Sequence, residues 1–171
     1  MSVPEKEIQY LHYSYEQMVE DLRRVVNMVK KTNWKPDLIV GLTRGGLIPA
    51  VMLSHKYDVP LVPINLSLRD FKSDYNSVLV DLNQATPRYF NGKYKNILVV
   101  DDILDSGDTL DELSRIFKVM DFDTQLDIKY ATLFYNVTNE KKFVPDFYGQ
   151  TINKQINAPW IIFNFENALE K

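Results

Sequence analysis

The chain has 171 residues, 45% of them apolar, and its 20 basic and 23 acidic side chains leave a net charge of −3. That is one domain's worth of sequence with an ordinary globular balance, which excludes disorder, a collagen-like repeat and a coiled coil. The absence of cysteine excludes a disulfide framework, a thiolate metal centre and a cysteine nucleophile.

The N-terminal stretch lacks the basic segment and continuous apolar core of a signal peptide, and no window approaches the ~18 apolar residues of a spanning helix. A cytoplasmic protein with no membrane association is expected. No basic block is long enough to predict a nucleic-acid surface. In chain order, Ser14 with Gln17 three residues on forms a capping box. Met18, Leu22, Val25, Val26 and Val29 then recur at helical spacing as far as Lys31. Beyond Pro36, residues 37–42 read as a strand buried on both faces, broken by Thr43-Arg44-Gly45-Gly46. Residues 47–57 read as a helix with Pro49 in its first turn, and residues 61–66 as a second strand.

Between residues 67 and 96 the pattern dissolves into polar and aromatic residues with Pro87 and Gly92, as a functional lid or an insertion with its own hairpin would. Residues 96–100 form the clearest buried strand, and residues 108–120 carry Leu110, Leu113, Ile116, Phe117 and Met120 at helix spacing. Two more strands, residues 128–135 and 160–165, flank a loop containing Pro145, Gly149 and Pro159. Strands alternating with helices predict an α/β fold, a central and mostly parallel sheet with helices on both faces.

Ligands of such sheets bind outside the carboxyl ends of the strands. Glycine is scarce, 6 in all, yet Gly41, Gly45, Gly46 and Gly107 fall at two such ends. Neither loop carries the GxxxxGK[ST] or GxGxxG pattern, so ATP and dinucleotide sites of those kinds lose support. In the run Val99-Val-Asp-Asp-Ile-Leu-Asp-Ser-Gly-Asp-Thr-Leu110, a bare backbone at Gly107 followed by a helix N-terminus directs N–H groups at one point, which suits a phosphate. Ser106 and Thr109 add hydroxyl donors. Asp101 and Asp102, at the end of the strand, belong beside a phosphate only if a divalent cation or a polyhydroxylated sugar lies between. A phosphorylated sugar with Mg²⁺ satisfies both demands.

This run resembles the phosphoribosyl pyrophosphate signature of type I phosphoribosyltransferases. Residues 39–49, with Arg44-Gly45-Gly46, resemble that family's pyrophosphate loop, and Trp160-Ile-Ile-Phe-Asn-Phe-Glu166 is similar to the C-terminal motif of xanthine-guanine and archaeal purine phosphoribosyltransferases. The resemblance covers residues 36–166. It implies a single domain, with a core over about residues 14–136, a lid over 67–95 and a C-terminal hood over 137–171. The implied reaction is Mg²⁺-dependent transfer of a phosphoribosyl group from phosphoribosyl pyrophosphate to a nucleobase, a purine, releasing pyrophosphate.

By position, the resemblance assigns Thr43, Arg44 and Gly45 to pyrophosphate. Asp101 and Asp102 go to ribose hydroxyls and metal, and Ser106, Gly107, Asp108, Thr109 and the amide of Leu110 to the 5′-phosphate. Asp105 becomes the acid/base at a ring nitrogen, Trp160 a stacking platform and Ile161 a backbone reader of the base edge. Taken alone, a tryptophan such as Trp160 is more often a core residue, and the stacking role rests on its neighbours. Arg69, Lys72 and Arg88 are the lid's candidate pyrophosphate partners. His12 and His55 are read as structural or surface residues. The opening helix packs on the sheet, with any exposed apolar part contributing to a homodimer or homotetramer. Two departures stand out. Asn136 occupies the place where purine enzymes of the family carry a lysine, and Asp108 puts an extra negative charge beside the phosphate loop. The alternative on the same fold is a non-catalytic, phosphoribosyl-pyrophosphate-binding regulator.

Overall fold

In the computed structural model, which describes residues 9–66, 92–119 and 126–166, the apolar runs pair along their lengths. β2 (Leu38–Leu42), β3 (Leu61–Ile64), β4 (Asn96–Leu104), β5 (Asp127–Asn136) and β6 (Phe147–Ile152) form one sheet of order β3-β2-β4-β5-β6. Every pair in it is parallel, with Leu38 opposite Ile97 and Ala131 opposite Phe147. All five carboxyl ends therefore open on one edge.

Strand β4 shows why the sequence layers this way. Ile97 and Val99 pack with Leu110, Leu113, Ile116 and Phe117 of α3 (Asp108–Val119) on one face. Leu98 and Val100, one residue out of step, pack on the other face with Met18, Leu22 and Val25 of α1 (Tyr15–Lys30) and Ala50 and Leu53 of α2 (Leu47–Tyr57). A strand covered on both faces needs no polar alternation, hence the unbroken apolar runs. The capping box of α1 forms as expected, Gln17 N–H donating to Ser14 Oγ at 3.2 Å and Ser14 N–H to Gln17 Oε1 at 2.8 Å. Its apolar stripe faces the sheet.

Two strands escape the sequence reading. β1 (Tyr10–Tyr13) pairs in parallel with β7 (Trp160–Phe163) as a separate two-stranded sheet, Tyr10 opposite Trp160. β6 lies in the stretch read as a loop, where Gly149 and flanking prolines mask its alternating burial. The main sheet thus takes a strand from beyond residue 136, out of the segment expected to form the hood. Two boundaries also shift. β3 ends at Ile64, and its Pro63 is tolerated because β3 is an edge strand. β4 continues through Leu104 instead of stopping at Val100, because Asp101, Ile103 and Leu104 keep pairing with Thr132, Phe134 and Tyr135 of β5.

A buried carboxylate ties the N-terminal elements to this frame. Asp21 of α1 is 1% exposed. It accepts from Tyr13 Oη of β1 at 2.6 Å, Gln150 Nε2 of β6 at 2.6 Å and an Arg24 nitrogen at 2.8 Å. Burial, reinforced by the bond to Asp21, pushes the Tyr13 hydroxyl far above its ordinary pKa. Among the described residues no helix is long and apolar enough to cross a membrane.

Candidate active site

The edge where the carboxyl ends open gathers three loops. The first follows β2. Thr43 N–H donates to the Ile64 carbonyl at 3.0 Å and Thr43 Oγ1 to Asn65 Oδ1 at 3.0 Å, so the loop is fastened to the end of β3. The Thr43–Arg44 peptide is cis, Arg44 is exposed, and the chain enters α2 through Gly46. Gly45 lies so close to Asp102 that a Cβ there would occupy the space of the Asp102 carboxylate. This contact joins the loop to the acidic pair across 57 residues of sequence.

The second loop is the end of β4 and the turn beyond it. Asp102 N–H donates to Asp101 Oδ1 at 2.9 Å and Ile103 N–H to Asp102 Oδ1 at 2.8 Å. Burial raises the Asp102 carboxyl above its usual range, and the negative charge of Glu166 adds to the shift. Glu166 is fastened nearby by accepting from Phe163 N–H at 3.0 Å. Gly107 turns the chain with φ +88, a conformation that L side chains rarely adopt. Beyond it Asp108 N–H donates to Ser106 Oγ at 3.3 Å, and the first-turn amides of a helix have no intrahelical carbonyl to bond, which is what an anion site uses.

Ser106 Oγ donates to Asp108 Oδ2 at 2.7 Å, and Lys141 Nζ lies 3.3 Å from Asp108 Oδ1. The Ser106 hydroxyl, and secondarily Lys141, holds the Asp108 carboxyl below its ordinary value. The extra negative charge expected at the phosphate loop thus has its own cation. Thr109 stands half-buried in the same turn, while the Leu110 side chain is buried in the core and leaves only its backbone at the site.

The third loop follows β5 and β6. Asn136 is 5% exposed. Its Nδ2 donates to the Asp105 carbonyl at 3.1 Å and to Asp105 Oδ1 at 3.4 Å, and its Oδ1 accepts from Thr138 N–H at 3.1 Å and Thr138 Oγ1 at 2.8 Å. Lys154 Nζ meets Asp105 Oδ2 at 2.6 Å. Sequence reasoning brought Asn136 and Asp105 together but missed Lys154, Lys141 and Asn65, which carry no local motif. Glu166 was legible only as the last residue of a C-terminal motif.

Trp160 is 59% exposed, so its indole lies at the surface instead of filling the core. Trp160 N–H donates to the Gln9 carbonyl at 2.7 Å and Asn164 N–H to the Tyr13 carbonyl at 3.0 Å. The backbone groups of even-numbered residues thus face β1, and by alternation those of Ile161 point to the open edge of the small sheet. Arg69, Lys72 and Arg88 lie outside the described residues.

Comparison with known proteins places the whole fold. The family described as phosphoribosyl transferase domain matches residues 13–169. A xanthine-guanine phosphoribosyltransferase of Cereibacter sphaeroides is 28% identical over 93% of this chain and 88% of its own length. The crystal structure of a purine phosphoribosyltransferase from Pyrococcus horikoshii superposes with a TM-score of 0.66 at 27% identity, covering 91% of this chain and 93% of that one. A xanthine-guanine-hypoxanthine phosphoribosyltransferase of Helicobacter pylori shares the fold, with a TM-score of 0.69 at 24% identity over 95% of this chain and 97% of that one. The chain belongs to the phosphoribosyl transferase family, and it is an enzyme that moves a phosphoribosyl group from phosphoribosyl pyrophosphate to a nucleobase.

Proposed function

We propose that the acceptor is a purine, as in the enzymes this chain is similar to, and that the carboxyl edge of the sheet divides the work among its three loops. The observation that carries this reading is the contact of Gly45 with the Asp102 carboxylate, which sets the pyrophosphate loop directly against the acidic strand end. Thr43, Arg44 and Gly45 hold the leaving group. Ser106, Gly107, Asp108, Thr109 and the Leu110 amide cradle the 5′-phosphate at the start of α3. Asp101 and Asp102 take the ribose hydroxyls. Asp105 exchanges a proton with a ring nitrogen of the base, Trp160 stacks on it and the Ile161 backbone reads its edge.

Asp101 and Asp102 also suit Mg²⁺. They offer two carboxylates on adjacent strand residues, and among the described residues no group of three or more metal-ligating side chains forms a closed cage. Mg²⁺ characteristically binds through one or two carboxylates while waters and substrate phosphates complete its shell. When bound, Mg²⁺ supplies positive charge to the departing pyrophosphate. The protein's own part is to orient the partners and to stabilise negative charge as the bond at the anomeric carbon breaks, which requires no covalent nucleophile.

A cytoplasmic homodimer or homotetramer completes the reading, checked by light scattering on the purified protein. The decisive assay supplies Mg²⁺, phosphoribosyl pyrophosphate and, one at a time, hypoxanthine, guanine, xanthine, adenine and pyrimidines. Pyrophosphate release is expected with at least one purine and is abolished by EDTA. Release with pyrimidines alone would refute the purine assignment. Binding of phosphoribosyl pyrophosphate with no release for any base would turn the reading to a regulator.

A further inference from the structure

The base site lacks a lysine at position 136, and the structure shows that Asn136 does not stand in for one. Its amide is buried, and both ends are engaged. Nδ2 binds Asp105, while Oδ1 accepts from Thr138 N–H, Thr138 Oγ1 and, at 3.4 Å, Lys154 N–H. A carboxamide has two donor hydrogens and two acceptor lone pairs, and such a set leaves no capacity for a ligand. Asn136 is a clamp holding the chain after β5 to the turn after β4 and the loop after β6.

The clamp also fixes where Lys154 begins. From that anchored N–H, the Lys154 side chain reaches Asp105, its ammonium 2.6 Å from Oδ2. The Lys154 side chain is 28% exposed and that of Asp105 17%, so the pair is sheltered yet reachable. An ammonium has three donor hydrogens, and Asp105 uses one. Lys154 and Asp105 therefore present a cationic donor beside an anionic acceptor.

We propose that Lys154 is the specificity-determining residue for the base, donating to an exocyclic oxygen next to the ring N–H that Asp105 accepts, and so selecting 6-oxopurines. This assignment rests on the purine-acceptor reading above. The edge of a 6-oxopurine offers N–H next to C=O, complementary to a carboxylate next to an ammonium. The edge of a 6-aminopurine offers donors at both places and would set an amino group against the ammonium. Polar sites built for one hydrogen-bond pattern reject the other strongly, because a mismatched ligand leaves sheltered groups unpaired.

The test is steady-state kinetics of wild type, Lys154→Met and Lys154→Arg with hypoxanthine and adenine, together with thermal unfolding of each. Wild type is expected to prefer hypoxanthine over adenine by at least about 100-fold in kcat/KM. Lys154→Met should raise the KM for hypoxanthine by at least about tenfold while the KM for phosphoribosyl pyrophosphate stays within about twofold. Lys154→Arg should restore most of that loss, since it returns a charged donor. A smaller rise, an equal rise in both KM values, or a wild type that prefers adenine overturns the assignment while leaving the purine reading intact. No turnover with any purine would instead bring down the purine reading itself.

Discussion

Two carboxylates in this molecule are held by nearly the same partners and do opposite things. Asp21 is bound by an arginine, a glutamine amide and a tyrosine hydroxyl, and Asp105 by a lysine and an asparagine amide. Asp21 is closed in by α1, β1 and β6, so its charge staples three elements together. Asp105 stands where β4 gives way to α3, at the open edge of the sheet, its side chain 17% exposed, so its partners leave it reachable, as the acid/base role proposed for it needs. The chemistry of the partners is shared, and access decides the role.

Replacing Asp105 by Asn should separate the two most sharply. Turnover is expected to fall by about 10²–10⁴-fold, the range for losing a general acid/base, while binding of phosphoribosyl pyrophosphate measured by calorimetry stays intact. Wild-type turnover in this variant would erase the distinction. Asp21→Ala should do the reverse. It strands the Tyr13 hydroxyl and the Gln150 amide in the interior, so urea denaturation should show a loss of about 3 kcal/mol, with kcat per folded molecule unchanged.

Gly45→Ala probes the seam between loop and acidic pair. The new methyl group would displace the Asp102 carboxylate, and the KM for phosphoribosyl pyrophosphate should rise by about tenfold with a stability loss of about 1–3 kcal/mol. The smallest effect belongs to Asp108, whose carboxyl the Ser106 hydroxyl and Lys141 hold below its ordinary value. A depressed carboxyl contributes stability above its unfolded pKa of about 4, lost as pH falls through the lower folded value. Wild type should therefore exceed Asp108→Asn by less than about 1 kcal/mol at pH 7, a margin that starts to shrink as pH falls below about 4. Urea denaturation at pH 7, 4 and 3 reads this directly, and a margin undiminished between pH 7 and pH 3 would show the contribution is not ionic.

Much of the fold, and the loops at the carboxyl ends of β2 and β4, was legible in the chain itself. The central strands β2 and β4 are buried on both faces through residues 38–42 and 97–100 and so read as continuous apolar runs, the capping box of α1 spans four residues, and residues 99–110 hold strand end, acidic pair, turn glycine and helix start in one stretch. Each is a local pattern, set by backbone geometry over a few neighbouring residues. Less of what lies beyond residue 136 was legible. β1 and β6 are short, polar or glycine-broken, and become strands only because a partner strand supplies their hydrogen bonds. Asn136 stands by alignment in the place of a lysine, and its bonds to Asp105, Thr138 and Lys154 are visible only in the tertiary structure. By itself the sequence determined that this is a parallel α/β domain with a glycine turn at Gly107 opening a helix. Tertiary structure alone decided that Gly45 abuts Asp102, that Lys154 meets Asp105 across 49 positions, and that Trp160 is exposed. Local geometry is written in neighbouring residues, whereas contacts between distant ones exist only after sheet register and loop closure have placed them.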